Sequence, residues 1–434
     1  MSKHVLRALP ELLEAGLIQT ETAQKIEAYY LAKGNQNDNR LFTIFGVFGA
    51  LLVGLAIILI IAHNWDNFPR VVKTIFAFIP LLIGQAAAGF TLLRKPESPA
   101  WREGSSTFLF FAIGAVISLI SQIYNIPGSM SAFALTWLLL GLPLVYLLRS
   151  SMVSLLYLIG LTMYGCEVGY WSRQTDVPIY YWLLLLLIMP YYIQMIRQGN
   201  RGNFMSFHHW FIPLTVVICL GTNTVEDEPW MFLAYFSLFG VLYLIGNRGY
   251  FSQQRRINNG YLILGSLGTV FMLLFMTFKW LWEEFSEKRD LILDADALAS
   301  PEFITLAILL IAGIYLLYQK KEELFSSEIN PLEWLFLMFL LLFFIGLYFP
   351  IGAMVIANIL VLLTGVYYIR KGGQLDHLII LNYGLLIITA LIICRFFDTN
   401  LSFILRGLLF VGVGVGFFYA NYKMLQRRKE KALG

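Results

Sequence analysis

The sequence predicts an all-α, polytopic membrane protein. Three observations carry that expectation: 58% of the 434 residues are apolar, only 13% are charged, and the apolar residues fall in long runs separated by short polar loops. Soluble proteins carry about 25% charged residues, so a soluble domain of this size could not cover its core with so few. The same composition excludes a nucleic-acid binder and a secreted disulfide scaffold. The net charge of +4 is too small to argue for an acidic partner. Cys166, Cys219 and Cys394 all sit inside apolar runs with no C-x-x-C pair. They read as small buried hydrophobes rather than metal ligands or bridges.

A transmembrane helix needs about 20 mostly apolar residues. Runs of that kind lie near 41–63, 71–93, 105–124, 130–149, 151–170, 178–196 and 208–222. Others lie near 230–246, 257–282, 301–319, 332–349, 350–369, 376–395 and 400–422, giving fourteen expected spans. The weakest, 208–222, is short and ends at Gly221. The expected organisation is a cytoplasmic helical hairpin and polar linker (1–40), a transmembrane bundle (41–423) and a basic cytoplasmic tail (424–434). The first apolar run begins only at Leu41, after a polar stretch, so no signal peptide is expected.

Orientation follows from lysine and arginine in the loops. With fourteen spans and both termini cytoplasmic, most of the 31 basic residues collect on one side. The opposite side receives the acidic loops Glu226–Glu228 and Glu283–Asp296. Dropping one span would destroy that alternation.

Ahead of the bundle, residues 5–31 read as two short amphipathic helices. Leu6, Leu9, Leu12 and Leu13 share one face, Gly16 suits a stop, and Thr20 can cap the second helix. The plain reading is a hairpin packed on the membrane or on cytoplasmic loops; the sharper one is a docking module for a cytoplasmic protein partner.

Polar residues inside spans are costly and usually face the bundle interior. Gly114, Ser118, Ser121, Gln122 and Asn125 draw one stripe along the third span, and Gly160, Tyr164, Glu167 and Trp171 another along the fifth. In the last span Asp398, Ser402 and Arg406 recur at i, i+4 and i+8, with Arg395 three residues earlier. Arg406 requires a counter-charge or water, and Asp66, Glu167 and Asp398 are the carboxylates expected near the same face. A buried ion pair between helices is one reading. The other is an outer pocket in which Arg406, Arg70 or Lys73 meets an anionic or zwitterionic ligand.

His63 and Asp66 are spaced for a relay or a metal, but a hydrogen-bonded interfacial histidine is the plainer reading. His208 and His209 read as interfacial, Asn358 and Asn382 as interhelical hydrogen-bonding residues. No catalytic signature such as H-E-x-x-H or G-x-S-x-G is present. No catalytic residue, metal or cofactor is assigned.

At the first outer turn the sequence reads AHNWDNFPR (62–70), which includes His63 and Asn64, followed by Lys73. At the second it reads SQIYNIPGS (121–129), then Trp137, Pro143 and LLRSS (147–151). Together with GLIQTETAQKIEAYY (16–30), these residues resemble the bacterial membrane-protein family catalogued as domain of unknown function 2157. The resemblance covers about residues 5–151, with a weaker likeness at RFFDTNLSFILRGLLFVGVG (395–414). It implies a family-like four-helix unit at 41–149 and a bacterial cytoplasmic membrane, and it brings no activity. The segments 49–69 and 114–127 also resemble each other. A duplicated hairpin and two independent interfacial turns both explain that likeness.

Three functions compete on this evidence. The first is a transporter or flippase-like carrier of a small or lipid-linked polar solute, with membrane lipids around it and a polar pocket on the non-cytoplasmic side. Pro80 with Gly84, Pro143, and Pro350 with Gly352 would interrupt helices as carriers often do. The second is a membrane scaffold, sensor or assembly partner without transport. The third is an enzyme acting on a lipid head group, disfavoured by the missing signatures. The candidate ligand-binding set is Arg406, Asp66, Glu167, Gln122, Asn125, His63, Asn64, Arg70, Lys73, Arg395 and Asp398.

Overall fold

Dense apolar runs need a partner for every backbone N–H and C=O once water is excluded, and an α-helix supplies those partners within the segment itself. The computed structural model obeys this rule: no strand occurs among the described residues. These are residues 9–27, 65–171, 178–199, 202–225, 229–292, 294–320 and 330–398, with isolated helical positions from 407 to 426. The chain divides into two units, 1–78 and 79–434.

In the first unit, residues 9–14 and 20–27 are helical. Gly16 ends the first helix in the left-handed region (φ 67°). Gly16 N–H donates to the Leu13 carbonyl and Leu17 N–H to the Leu12 carbonyl, the paired bonds of a Schellman motif. The second helix has its first acceptor at Gln19, one residue before the expected cap Thr20. A 3₁₀ turn at Trp65–Asn67 leads into the first long helix.

The long helices are α1 (Arg70–Arg94), α2 (Pro99–Tyr124), α3 (Met130–Leu147), α4 (Ser151–Cys166), α5 (Ile179–Arg197), α6 (Asn203–Leu220) and α7 (Trp230–Gly246). They continue with α8 (Gly260–Phe275), α9 (Lys279–Glu287), α10 (Pro301–Gln319), α11 (Pro331–Tyr348), α12 (Pro350–Gln374) and α13 (Leu378–Asp398). Every span expected between residues 71 and 395 coincides with a helix, except 257–282, which is divided between α8 and α9. Among the described residues ten helices are long and apolar enough to cross a membrane, or eleven if the bent pair α8–α9 counts as one. The expected spans 41–63 and 400–422 lie outside the described residues, apart from isolated positions in the second. The chain is a membrane protein with multiple spans.

Many starts are written in the sequence. The side chains of Ser129, Ser150, Asn259, Ser300 and Asn330 cap α3, α4, α8, α10 and α11 by accepting a backbone N–H. Proline occupies the first turn of α2, α10, α11 and α12, where its missing N–H costs nothing. Pro80 and Pro143 sit inside continuous helices, so the interruptions expected there do not occur, and Pro350 begins a helix.

The break lies elsewhere. The stretch 257–282, expected as one span, bends by 78° between α8 and α9. The freed carbonyls find donors: Trp282 Nε1 reaches Met276 O at 2.7 Å and Asn358 Nδ2 reaches Thr277 O at 3.2 Å. After the bend, α9 buries Leu281, Trp282 and Phe285 and exposes Lys279, Glu283 and Glu284. That is the pattern of an interfacial amphipathic helix rather than the second half of a span.

α7 is enclosed on nearly every side by α6, α8, α10 and α11, as expected for a helix apolar all round. Glycines set its spacing. A Cβ on Gly246 would collide with the Leu262 backbone, and one on Gly265 with the Tyr243 backbone. Gly365 and Gly384 bring α12 and α13 together in the same manner. Such small-residue contacts let helix backbones approach where apolar solvent offers no hydrophobic drive.

Side-chain bonds show which helix ends lie together. Glu103 (α2) receives Ser150 Oγ at 2.5 Å and Ser151 N–H at 3.0 Å. His208 (α6) meets Ser154 (α4) at 2.9 Å, and Trp210 Nε1 donates to Ile257 O at 2.8 Å. Lys320 (the end of α10) pairs with Glu333 (α11) at 2.7 Å, and Asn247 at the end of α7 donates to Glu333 at 3.3 Å. The loops at this end carry Arg149, Arg197, Arg248, Arg255, Arg256, Lys320, Arg370 and Lys371; it is called the basic end below. At the other end Trp182, Asn223 and Thr305 form a hydrogen-bonded chain near Glu167, Glu302 and the acidic residues of 283–296.

Two outcomes follow for stability. Gly265→Val is expected to destabilise the chain by about 1–3 kcal/mol, the usual range for overpacking. Gly104→Ala, where a Cβ meets nothing within 4 Å, should be neutral or gain about 0.5–1 kcal/mol. Thermal unfolding of the purified variants in detergent compares them. Glu333 is only 3% exposed and Lys320 17%, so Lys320→Met strands a buried carboxylate at a cost of about 3–5 kcal/mol. Adding Glu333→Gln to Lys320→Met should recover most of that loss in the same assay.

Candidate ligand-binding cavity

A cavity of about 340 Å³ lies at the basic end between α7, α8, α11, α12 and α13. Each helix delivers its groups from the turn nearest that end. α7 contributes Tyr243 and Asn247, α8 Leu262, Ile263, Ser266 and Leu267, and the loop between them Arg256. Asn330, the cap of α11, adds an amide; α12 adds Tyr368 and Lys371, and α13 Ile379, Ile380 and Tyr383.

The polar wall is closed on itself. Asn330 Nδ2 donates to Tyr243 OH at 2.7 Å, Tyr243 and Tyr368 hydroxyls meet at 3.1 Å, and Tyr368 OH donates to Asn330 Oδ1 at 3.0 Å. With Tyr243 donating to Tyr368, these bonds make a ring in which each hydroxyl hydrogen is used once. Tyr383 and Ser266 hydroxyls pair at 2.7 Å, and the Tyr383 ring packs edge-on against Tyr368 with centroids 5.2 Å apart. Behind this wall stands the Lys320–Glu333 pair, joined to it through Asn247.

The charge on the lining is one-sided. Arg256 is exposed at the rim, and half-buried Lys371 donates to Tyr367 OH at 2.9 Å, keeping two further N–H groups. No aspartate, glutamate or histidine is among the described lining residues. The rest is aliphatic, and two of those residues stand open: Leu267 is 49% exposed and Ile379 68%. The volume sits at the low end of small-molecule sites, which run about 300–1,000 Å³. Apolar walls with a few placed polar groups are the usual make-up of such sites.

A second polar cluster at the basic end is packed shut. His208 and His209 are fully buried within the bundle. His208 bonds Phe204 O and Ser154, while His209 Nδ1 meets Tyr192 OH at 2.6 Å. Among the described residues no group of three His, Cys, Asp or Glu is arranged to hold a metal. Cys166, Cys219 and Cys394 are not joined in disulfides.

Of the residues selected from sequence, Gln122 and Asn125, Glu167, and Arg395 lie in different elements of the second unit. Arg406, His63 and Asn64 lie outside the described residues, as do the side chains of Asp66 and Asp398. Arg70 is exposed at the start of α1, and Lys73 lies over the Trp65 ring at 5.8 Å. Gln122 and Asn125 are exposed at the end of α2, where Asn125 takes the left-handed conformation (φ 51°) that closes the helix. Ser121 Oγ caps the same turn by donating to Ile126 O at 2.9 Å, and Gly114 accommodates the Trp137 ring. Much of that polar stripe therefore serves helix termination and packing. Glu167 is half-buried at the start of a π-helical turn, Glu167–Trp171. Arg395 donates to Thr277 Oγ1 at 3.1 Å and stacks on Phe278 at the α8–α9 bend. Asn358 makes the expected bond between helices, to Thr277 O.

None of the cavity residues was selected from sequence. The available signals were weak: tyrosines near span ends, the Arg255–Arg256 and Arg370–Lys371 pairs, and an asparagine before Pro331. Each is common at membrane boundaries for structural reasons.

No curated protein and no solved structure matches the chain. The family model described as "Predicted membrane protein (DUF2157)" matches residues 10–154, the part of the chain that contains the leading helices and α1 to α3.

Proposed function

We propose that the chain is a membrane carrier for an amphiphilic solute, and that the basic-end cavity is where the solute binds. The carrying observation is the combination of a hydroxyl-lined polar wall and two cations with aliphatic side chains that stand open at the rim, Leu267 and Ile379. In a membrane those exposed aliphatics face lipid, so a solute with an apolar part reaches the cavity sideways, without crossing water. The excess of lysine and arginine at this end orients it to the cytoplasm, which fits the cytoplasmic membrane of a bacterium. Among the described residues the lining supplies hydroxyls, amides and cations but no carboxylate or imidazole, a set suited to holding a solute rather than to general acid–base chemistry.

The test is lipid movement in vesicles. The full chain, reconstituted with a fluorescent phospholipid analogue, should accelerate transfer of the probe between leaflets, read by chemical quenching of the outer leaflet. Leu267→Trp, which fills the open rim, should slow that transfer at least tenfold while thermal unfolding stays unchanged. If the unaltered chain moves the probe no faster than protein-free vesicles do, the carrier reading fails, and a binding or scaffolding role takes its place.

A further inference from the structure

The cavity's charge narrows the class of solute. We infer that it selects an anionic phospholipid head group, with Arg256 and Lys371 as the residues that set the preference; this rests on the cavity being a binding site. Three observations lead there.

First, the hydroxyl hydrogens of Tyr243 and Tyr368 are spent. Tyr243, Tyr368 and Asn330 satisfy one another, and Tyr383 is engaged with Ser266. The unspent donors with a charge behind them are the guanidinium of Arg256 and the remaining N–H groups of Lys371. A guanidinium offers five N–H groups in a planar fork that fits two phosphate oxygens at once, and an ammonium adds a compact charge.

Second, no carboxylate balances those two cations among the described lining residues. Glu333, behind the wall, is engaged by Lys320 and Asn247. Among the described lining residues an anion entering the cavity therefore meets two positive groups and no negative one. A zwitterionic head would bring a cation to the same place and find no acidic partner among them.

Third, the aliphatic rim points to a lipid rather than to free phosphate. Leu262, Leu267 and Ile379 offer contact to an acyl chain, whereas an isolated inorganic ion would gain nothing from them. The volume of about 340 Å³ accommodates a head group and its glycerol, leaving the chains in the bilayer.

Native mass spectrometry of the full chain in detergent, titrated with defined lipids, tests this. Phosphatidylglycerol should be retained at least tenfold more tightly than phosphatidylcholine. Arg256→Gln and Lys371→Gln should each weaken phosphatidylglycerol binding about fivefold, which converts to about 1 kcal/mol per charge at a membrane surface. The double variant should bind both lipids about equally, with an unfolding temperature like that of the parent. If the double variant keeps the preference, the anionic selectivity does not reside here and the inference is overturned. Competition by inorganic phosphate at concentrations as low as those of the lipid would also overturn it, by making free phosphate the ligand. Leu267→Trp separates the two levels: it should weaken both lipids alike. If it weakens neither, the cavity is not a binding site and the reading beneath the inference falls too; if it weakens both while the unaltered chain shows no preference, only the selectivity is lost.

Discussion

The contact between α7 and α8, backbone against backbone at Gly246 and Gly265, sets the geometry on which the basic end depends. α7 is short, 17 residues, and buried all round, so its neighbours are positioned by how closely they approach it. Because α8 lies against it without an intervening side-chain layer, Ser266 and Leu267 stand across a narrow gap from Tyr243. α11 packs on another side of α7, with Phe336 filling the space that Gly240 leaves, and this brings its cap, Asn330, within reach of Tyr243. α12 and α13, joined through their own glycines, then close the remaining side with Tyr368, Lys371 and Tyr383. A wider α7–α8 spacing would separate these groups, since the side-chain bonds among Tyr243, Ser266, Asn330, Tyr368 and Tyr383 are only 2.7–3.1 Å long.

The far end of the same bundle is built on a different principle. There the chain gives up regular helix at Met276–Phe278 and replaces the lost backbone bonds with side-chain donors from α9 and α12. Thr277 is held on its carbonyl by Asn358 and on its hydroxyl by Arg395. Unwound backbone at membrane depth is tolerated only where protein or water satisfies it, and here the protein does so. The exposed ion pairs Lys279–Glu283 and Lys288–Glu284 mark the side of α9 and its C-terminal cap that the bundle leaves open. They are surface pairs, worth little individually.

How much was legible in the sequence divides along the range of the interactions. Helix type and position followed from hydropathy, because a run of about 20 apolar residues has one acceptable conformation in a bilayer. Several helix starts followed from Ser, Asn and Pro, whose effects are local. The α8–α9 bend was missed because it contains neither Gly nor Pro; its trace is the sudden onset of charge at Lys279, Glu283 and Glu284 on one helix face. The cavity was missed because Tyr243, Arg256, Asn330, Tyr368 and Tyr383 are scattered over well over a hundred residues of chain, and only tertiary packing joins them. The polar stripe of α2, by contrast, was visible as a pattern, yet Ser121, Asn125 and Gly114 are largely occupied in ending and packing that helix. Periodicity reports which residues share a face and says nothing about what they meet.

The ring formed by Tyr243, Tyr368 and Asn330 has a kinetic meaning. Most binding sites hold a ligand by donors that fall unsatisfied when it leaves, and a buried unsatisfied group costs about 1–3 kcal/mol. Here the wall's hydrogen bonds close among its own groups, so a guest bound as proposed would break only contacts to the cations and aliphatic surface on leaving. Such a site would trade tenacity for turnover: occupancy would follow the local concentration of the guest, and residence would be brief.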